Sequence, residues 1–335
     1  MRIPAYDPAL LAGVGPMPPV VVDDTDLRAW RAEPQPGLDQ LRPILDDLEL
    51  IHDERRVGLP QGELILSIVQ PAKDSTALRP AMYNIHGGGM ILGNRFSSYF
   101  SDALRWVADH GLVMISPEYS LAPEQPAPRA AIECHAGLEW VAHHSVELGI
   151  DADRLILAGA SGGGGLAASV ALLARDRGGP QLLAQLLLCP QLGDRHDTVS
   201  SRQFTAANGA IDPWPAETNR FAWNALLGEG HENREVSIYE SPARADDLSG
   251  LPPAYIDVGG NEVFRDADVA YASRLWEGGV NAELHVWPGG FHGFDGAVPA
   301  APVSLAAKAA RDGWLRRILE APASAHIATG GNNDR

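Results

Sequence analysis

The chain has 335 residues, 45% hydrophobic and 21% charged, which is the composition of a soluble globular protein with one large α/β domain and an accessory cap, or two small domains. Its formal net charge of −17 excludes nucleic acid and anionic membrane surfaces as partners, because both need a basic face; the acidity reads as solubility. No apolar run reaches the roughly eighteen residues that a membrane span requires.

Residues 1–10 lack the cationic-then-apolar order of a signal peptide. Residues 1–35 are rich in Pro and Asp and show no sustained periodicity. Leu38, Leu41, Leu45 and Leu48 then recur at helical spacing, and Pro43 inside that pattern either sits in a first turn or kinks the helix. Stretches 49–56 and 63–70, joined by Gly58, Pro60 and Gly62, read as a hairpin. From there strands and helices alternate: strand 81–85, helix 98–110, strand 112–116, helix 130–143, strand 154–158, helix 166–175, strand 186–189. After a gap come strand 254–258, helix 269–276, strand 283–287 and helix 303–319. Such alternation implies a mostly parallel sheet covered on both faces.

The gap between Cys189 and Leu251, about sixty residues without a clear strand, is too long for a plain loop in a compact domain. It holds Trp214, Phe221 and Trp223 and reads as a cap insertion over 193–250, with 1–48 as its N-terminal counterpart. The core then divides into 49–192 and 251–320, and 321–335, small and polar, is expected to be disordered. The two cysteines, Cys134 and Cys189, stand in no metal-ligand spacing. They are expected to be buried thiols in a reducing cytoplasm, and no metal is implied.

The run Gly159-Ala160-Ser161-Gly162-Gly163 follows an apolar strand and precedes a helix. A serine on a sharp strand-to-helix turn projects its hydroxyl off the sheet, and the strained turn demands small neighbours. The N–H of Gly162 and the positive end of the helix can then stabilise an oxyanion. His86-Gly87-Gly88-Gly89 directly follows another strand. Its glycines let backbone N–H groups turn inward, so Gly88 and Gly89 are expected to join Gly162, with His86 ordering the loop. The run lacks the spacing of a phosphate-binding turn.

A serine nucleophile needs an imidazole to take its proton and a carboxylate to orient that imidazole, in the chain order Ser, acid, His. His292 fits, in the glycine-rich loop Pro288-Gly289-Gly290-Phe291-His292-Gly293-Phe294 beyond a strand end. His285 falls within a strand and His231 within the irregular insertion. Met90, Trp214 and Phe221 are candidates to line the pocket, although the aromatics serve equally well as the cap's own core.

Together these residues resemble the hormone-sensitive lipase family of α/β-hydrolases, the bacterial family IV esterases, over residues 80–296. Tyr119-Ser120-Leu121-Ala122-Pro123-Glu124 and Gln191-Leu192-Gly193-Asp194-Arg195 add to the resemblance, with Ser120 where the family often has Arg. The resemblance implies an α/β-hydrolase fold: a mostly parallel eight-stranded sheet flanked by helices, with a helical cap. It implies hydrolysis of short- to medium-chain carboxylic esters without metal or organic cofactor, and an edge-strand homodimer. Lactones and amides are open to the same constellation. So is a non-catalytic ligand-binding role of the kind seen in plant hormone receptors, whose triad is incomplete. Two features depart from the family. The elbow has Ala160 where the family has Asp, and its extra glycines are expected to leave room above the serine. At the acid position the run Glu262-Val263-Phe264-Arg265-Asp266 offers Glu262 where the family usually has Asp. Asp266 is the main rival, read as the N-cap of the next helix, and Asp257 inside a strand is the weaker one.

Overall fold

In the computed structural model the described residues are 1–15, 20–60, 62–73, 75–97 and 100–320; the expected disorder of 321–335 lies outside them. Eight strands form one sheet: β1 (Leu50–Leu59), β2 (Gly62–Pro71), β3 (Arg79–Ile85), β4 (Val113–Pro117), β5 (Ile150–Ala160), β6 (Ala184–Leu188), β7 (Ala254–Gly259) and β8 (Ala282–Trp287). Their order is β1-β2-β4-β3-β5-β6-β7-β8. The β1–β2 hairpin and the β2–β4 pair are antiparallel, and every pair from β4 onward is parallel.

The central strands carry apolar side chains on both faces, because helices cover both. Leu155 and Leu157 of β5 point into one core, Ile156 and Ala158 into the other, the period-two alternation of a strand. The first core is closed by α5 (Arg129–His143), α6 (Gly162–Arg177) and α9 (Arg265–Glu277). The second is closed by α3 (Leu38–Asp47), α4 (Phe100–His110) and α11 (Pro302–Glu320). Buried Leu41 and Leu45 carry α3 onto that second face, with Pro43 inside the helix and beyond its first turn.

Two N-terminal helices escape the periodicity reading: α1 (Pro8–Gly13) and α2 (Asp24–Ala32). Each is too short to display an apolar stripe, but each begins on an aspartate. Asp7 accepts the N–H of Ala9 at 2.8 Å and Asp23 that of Thr25 at 2.7 Å. Pro8 in the first position of α1 completes that signal. The insertion 193–250 is helical, with α7 (Val199–Gln203) and α8 (Ala216–Leu227). It meets the N-terminal segment where the Val21 N–H bonds Thr218 Oγ1 at 3.1 Å. The short α10 (Phe294–Ala297) follows the His292 loop, and Leu10 of α1 packs with Phe291 and Phe294 beneath it.

Candidate active site

Ser161 stands at the junction of β5 and α6 with φ 56° and ψ −122°, a conformation side-chain-bearing residues rarely adopt. The junction is held because nothing larger than hydrogen fits around it. A Cβ on Gly159 would lie 2.2 Å from the Gly163 carbonyl oxygen, and one on Gly163 would lie 2.1 Å from that of Ile85. The extra glycines are themselves tightly packed against neighbouring backbone. A Cβ on Gly165 would sit 2.2 Å from the Gln191 oxygen, so the helix start is wedged against the segment after β6. This close packing also explains why α6 starts at Gly162, before the stretch that propensity alone marks as helical.

His292 reaches Ser161 from the loop after β8: its Nε2 lies 2.9 Å from Ser161 Oγ, and its Nδ1 lies 3.1 Å from Glu262 Oε1. Glu262 is fully buried and its other oxygen accepts the Gly259 N–H at 3.1 Å. Phe264 meets the imidazole edge to face with ring centroids 5.1 Å apart. The loop is braced from behind, since the Asp7 N–H bonds the Gly289 oxygen and the Asn261 N–H bonds that of Gly290.

Neither rival acid touches an imidazole of this site. Asp266 is not an N-cap: Phe264 occupies that position, and Asp266 accepts the Ser200 N–H at 2.6 Å instead, tying α9 to α7. The first-turn N–H groups of α7 compete for it more closely than those of its own helix. Asp257 is paired with the buried Arg311 at 2.7 Å. His285 bonds Glu283 and stacks on Trp287, and His231 bonds Asp194 within the insertion 193–250.

Gly88 and Gly89 have φ of 107° and 62°, values open to glycine at little cost. No backbone bond to another described residue uses the N–H of Gly88, Gly89 or Gly162. A Cβ on Gly162 would lie 2.8 Å from the Gly89 nitrogen, so the two loops bring these donors to one side of the serine. His86 is buried, its Nδ1 2.8 Å from the Gly87 oxygen, and stacks on Tyr119 at 4.1 Å. Burial pushes it down to about 4, so it is a neutral strut at physiological pH.

A cavity of about 570 Å³ opens over Ser161 and His292, walled by Trp30 of α2, Leu92 and Trp214. Trp214 lies directly on Gly89, where a Cβ would meet its ring at 2.2 Å. Met90 is buried in the core beside the elbow and does not border this cavity. Phe221 borders a separate groove of about 890 Å³ with Val22 and Pro123, because α8 turns it toward the N-terminal segment.

Two neighbours of the site give no signal in sequence, since they come from distant segments. Cys189 presents its thiol to Glu262 and His292, the three donor atoms lying within 4.8 Å of one another. Asp212, buried in the insertion, accepts the Trp214 N–H at 2.8 Å, and burial pushes its carboxyl up to about 8. Burial disfavours the charged form of His292, but Cys189 and Glu262 outweigh it and hold the imidazole well above its ordinary value. Burial raises Cys189 to about 11, so at neutral pH it is an uncharged thiol. Cys189, Glu262 and His292 are also a donor set that could hold a soft metal ion, though only after the thiol gives up its proton.

A family model described as the alpha/beta hydrolase fold matches residues 82–296. The esterase LipI of Mycobacterium tuberculosis is 31% identical over 314 residues, covering 89% of this chain and 91% of that protein. Carboxylesterase NlhH of the same species is 33% identical over 244 residues, covering 72% and 75%. Among solved structures, a bacterial heroin esterase shares 35% identity and a TM-score of 0.84, covering 96% of this chain and 100% of that one. The matched stretch runs from within β3 past His292, and the chain belongs to the hormone-sensitive lipase family, the family IV esterases of the α/β-hydrolase superfamily.

Proposed function

We propose that this protein is a serine carboxylesterase acting on short- to medium-chain esters through an acyl-enzyme. The hydrogen-bonded line from Ser161 Oγ through His292 to Glu262 carries the reading. Ser161 attacks the acyl carbon while His292 Nε2 takes its hydroxyl proton. The carbonyl oxygen, now an anion, is held by the N–H groups of Gly88, Gly89 and Gly162, each worth about 3 kcal/mol in such a site. When the intermediate collapses, the ester C–O bond breaks and His292 returns the proton to the leaving alcohol. Water then attacks the acyl group with the same imidazole as base, and Ser161 is released. Glu262 keeps the Nδ1 proton in place and stabilises the imidazolium that forms in each half-reaction.

The cavity volume and its Trp30 and Trp214 walls suit a small acyl or alcohol group more than a long chain. The cap is assigned to 193–250 together with the N-terminal segment 1–48, whose α2 supplies Trp30 while α3 rests on the sheet. Among the described residues no helix is long and apolar enough to cross a membrane. Two buried free thiols suit a cytoplasmic setting. A homodimer is assigned, by analogy alone, to an edge strand such as β8, and sedimentation equilibrium tests it.

Activity on a p-nitrophenyl acyl series, set beside lactone and anilide substrates, tests the reading. The expected result is turnover that peaks at short acyl chains, together with fluorophosphonate labelling that Ser161→Ala abolishes. Labelling of that variant at full strength would remove Ser161 from the role. No turnover on any substrate would favour a ligand-binding protein.

A further inference from the structure

The cap contains a second histidine–carboxylate contact for which ester hydrolysis has no use. His231 is fully buried, and its Nδ1 lies 3.0 Å from Asp194 Oδ2. Asp194 in turn accepts Arg244 Nε at 2.8 Å and Nη2 at 2.5 Å. With Nδ1 tied down, Nε2 is the open nitrogen of His231. It is buried without a hydrogen-bond partner, and so is Nε2 of His196. Imidazole nitrogens withdrawn from water and left unbonded are costly, so two of them in neighbouring rings call for an occupant. The rings meet edge to face with centroids 6.1 Å apart. One donor atom each from His196, His231 and Glu232 lies within 4.8 Å of the other two.

We propose that His196, His231 and Glu232 form a binding site for a divalent cation of the zinc class, which clamps the cap. A tetrahedral zinc with bonds of about 2.0–2.2 Å separates its ligands by about 3.4 Å, so only a small inward closure is needed. Each donor already has the outer partner that a bound ligand normally keeps. Asp194 orients His231. The side-chain amide of Asn219 lies 3.5 Å from His196 Nδ1, and its Oδ1 has no partner. Exchanging the amide's oxygen and nitrogen gives the Nδ1–H of His196 an acceptor and leaves Nε2 as its free lone pair. Arg220 bonds Glu232 Oε1 at 3.0 Å, leaving the second carboxylate oxygen for the metal. Two imidazoles and one carboxylate suit zinc and discriminate against magnesium and calcium, which prefer all-oxygen sites. The cation would join the segment ahead of α7 to the turn after α8, fastening both ends of the helical part of the insertion.

Titration of the chelator-treated full chain with Zn²⁺, followed by calorimetry and thermal melting, tests this. The expected result is a single equivalent bound with a raised Tm, no response to Mg²⁺, and tetrahedral visible bands when Co²⁺ replaces Zn²⁺. His196→Ala should weaken Zn²⁺ binding about 100-fold or more. It leaves the Asp194–Arg244 pair and the fluorophosphonate reaction intact, so loss of binding cannot be taken for unfolding. Glu232→Gln should weaken binding less, and Cys189→Ser not at all. The proposal fails if Zn²⁺ gives no melting shift, if the shift survives His196→Ala, or if Cys189→Ser abolishes it. The last result would move the metal to the cluster beside His292.

Discussion

Two buried histidine–carboxylate pairs of nearly equal length, His292–Glu262 at 3.1 Å and His231–Asp194 at 3.0 Å, sit in different electrostatic company. Glu262 accepts from the Gly259 N–H and from His292, and no guanidinium or ammonium is paired with it among the described residues. Its charge is therefore spent on the imidazole, whose second nitrogen meets the Ser161 hydroxyl. Asp194 is gripped by Arg244. Burial works against its charge, yet the bonds from Arg244, Ser241 and His231 outweigh burial and hold its pKa down at about 2. A carboxylate with a cation partner pins structure; one without polarises its histidine. The same short contact thus aligns an imidazole on Ser161 at the sheet edge and pins structure in the insertion 193–250.

Breaking the first pair should be measured in rate. Ser161→Ala or His292→Ala should each lower kcat on a p-nitrophenyl ester by about 10⁴–10⁶, and the double variant by little more, because the two act as one unit. Additive losses in the double variant would show that they do not. Glu262→Gln should cost about 10²–10⁴ in kcat. It should also move the acid limb of kcat/KM. In the proposed mechanism His292 works as a base only when neutral, so activity rises with pH through its pKa, which Glu262 helps to raise. Without that carboxylate the limb should shift to lower pH; a pH–rate profile unchanged in position would detach Glu262 from His292.

Breaking the second pair should be measured in stability. Asp194→Asn leaves Arg244 without its counter-charge and His231 without a good acceptor, a loss of about 3–5 kcal/mol for a buried pair. The kcat/KM of the remaining folded enzyme should change by less than about threefold, since no group in the reaction is touched. The sign with pH follows from a depressed carboxylate. Its stabilisation is fully present above the unfolded value of 3.8 and disappears as pH falls through about 2. Urea unfolding of wild type and variant should therefore differ at pH 7 and converge in strong acid. A constant gap across that range would mean that the charge is not what matters.

The first pair was readable in the sequence and the second was not, for a physical reason. A nucleophile elbow, an inward-turned glycine run and a histidine loop each need backbone that only particular residues allow. Gly159, Gly163, Gly88 and Gly89 therefore announce the site before any coordinates. The alternation of β3 to α11 is legible for the same reason, because strands buried on both faces must be apolar throughout. Glu262 was legible only through the family resemblance, which marks the run after β7 as the acid position. Asp194, His196 and His231 have no such grammar. They meet because the segment ahead of α7 lies against α8 at Asn219 and against the turn after α8 at His231, and tertiary contact leaves no periodic trace. Cys189 and Asp212 were missed likewise, and Asp266 was misassigned because a neighbouring helix end lay closer than its own. The helices α1 and α2 did carry signals in Asp7-Pro8 and Asp23, but short helices show caps without stripes.

The mildest test separates two aromatic residues that sequence treats alike. Trp214 lies on Gly89 and walls the cavity over Ser161, whereas Phe221 faces the groove beside Val22 and Pro123. Removing the indole enlarges the space next to Gly89 but takes away no hydrogen bond to Ser161 or His292. Trp214→Ala should therefore raise KM for a short acyl ester by about tenfold, about 1.4 kcal/mol, with kcat falling less. It should also flatten the dependence on acyl length, because a longer chain can fill the space left behind. Phe221→Ala loses packing against the N-terminal segment and should lower Tm while KM stays within about twofold. If the two variants changed KM and acyl-length preference equally, the groove beside α8 would have to communicate with the serine, and the cap would be one substrate surface instead of a wall and a joint.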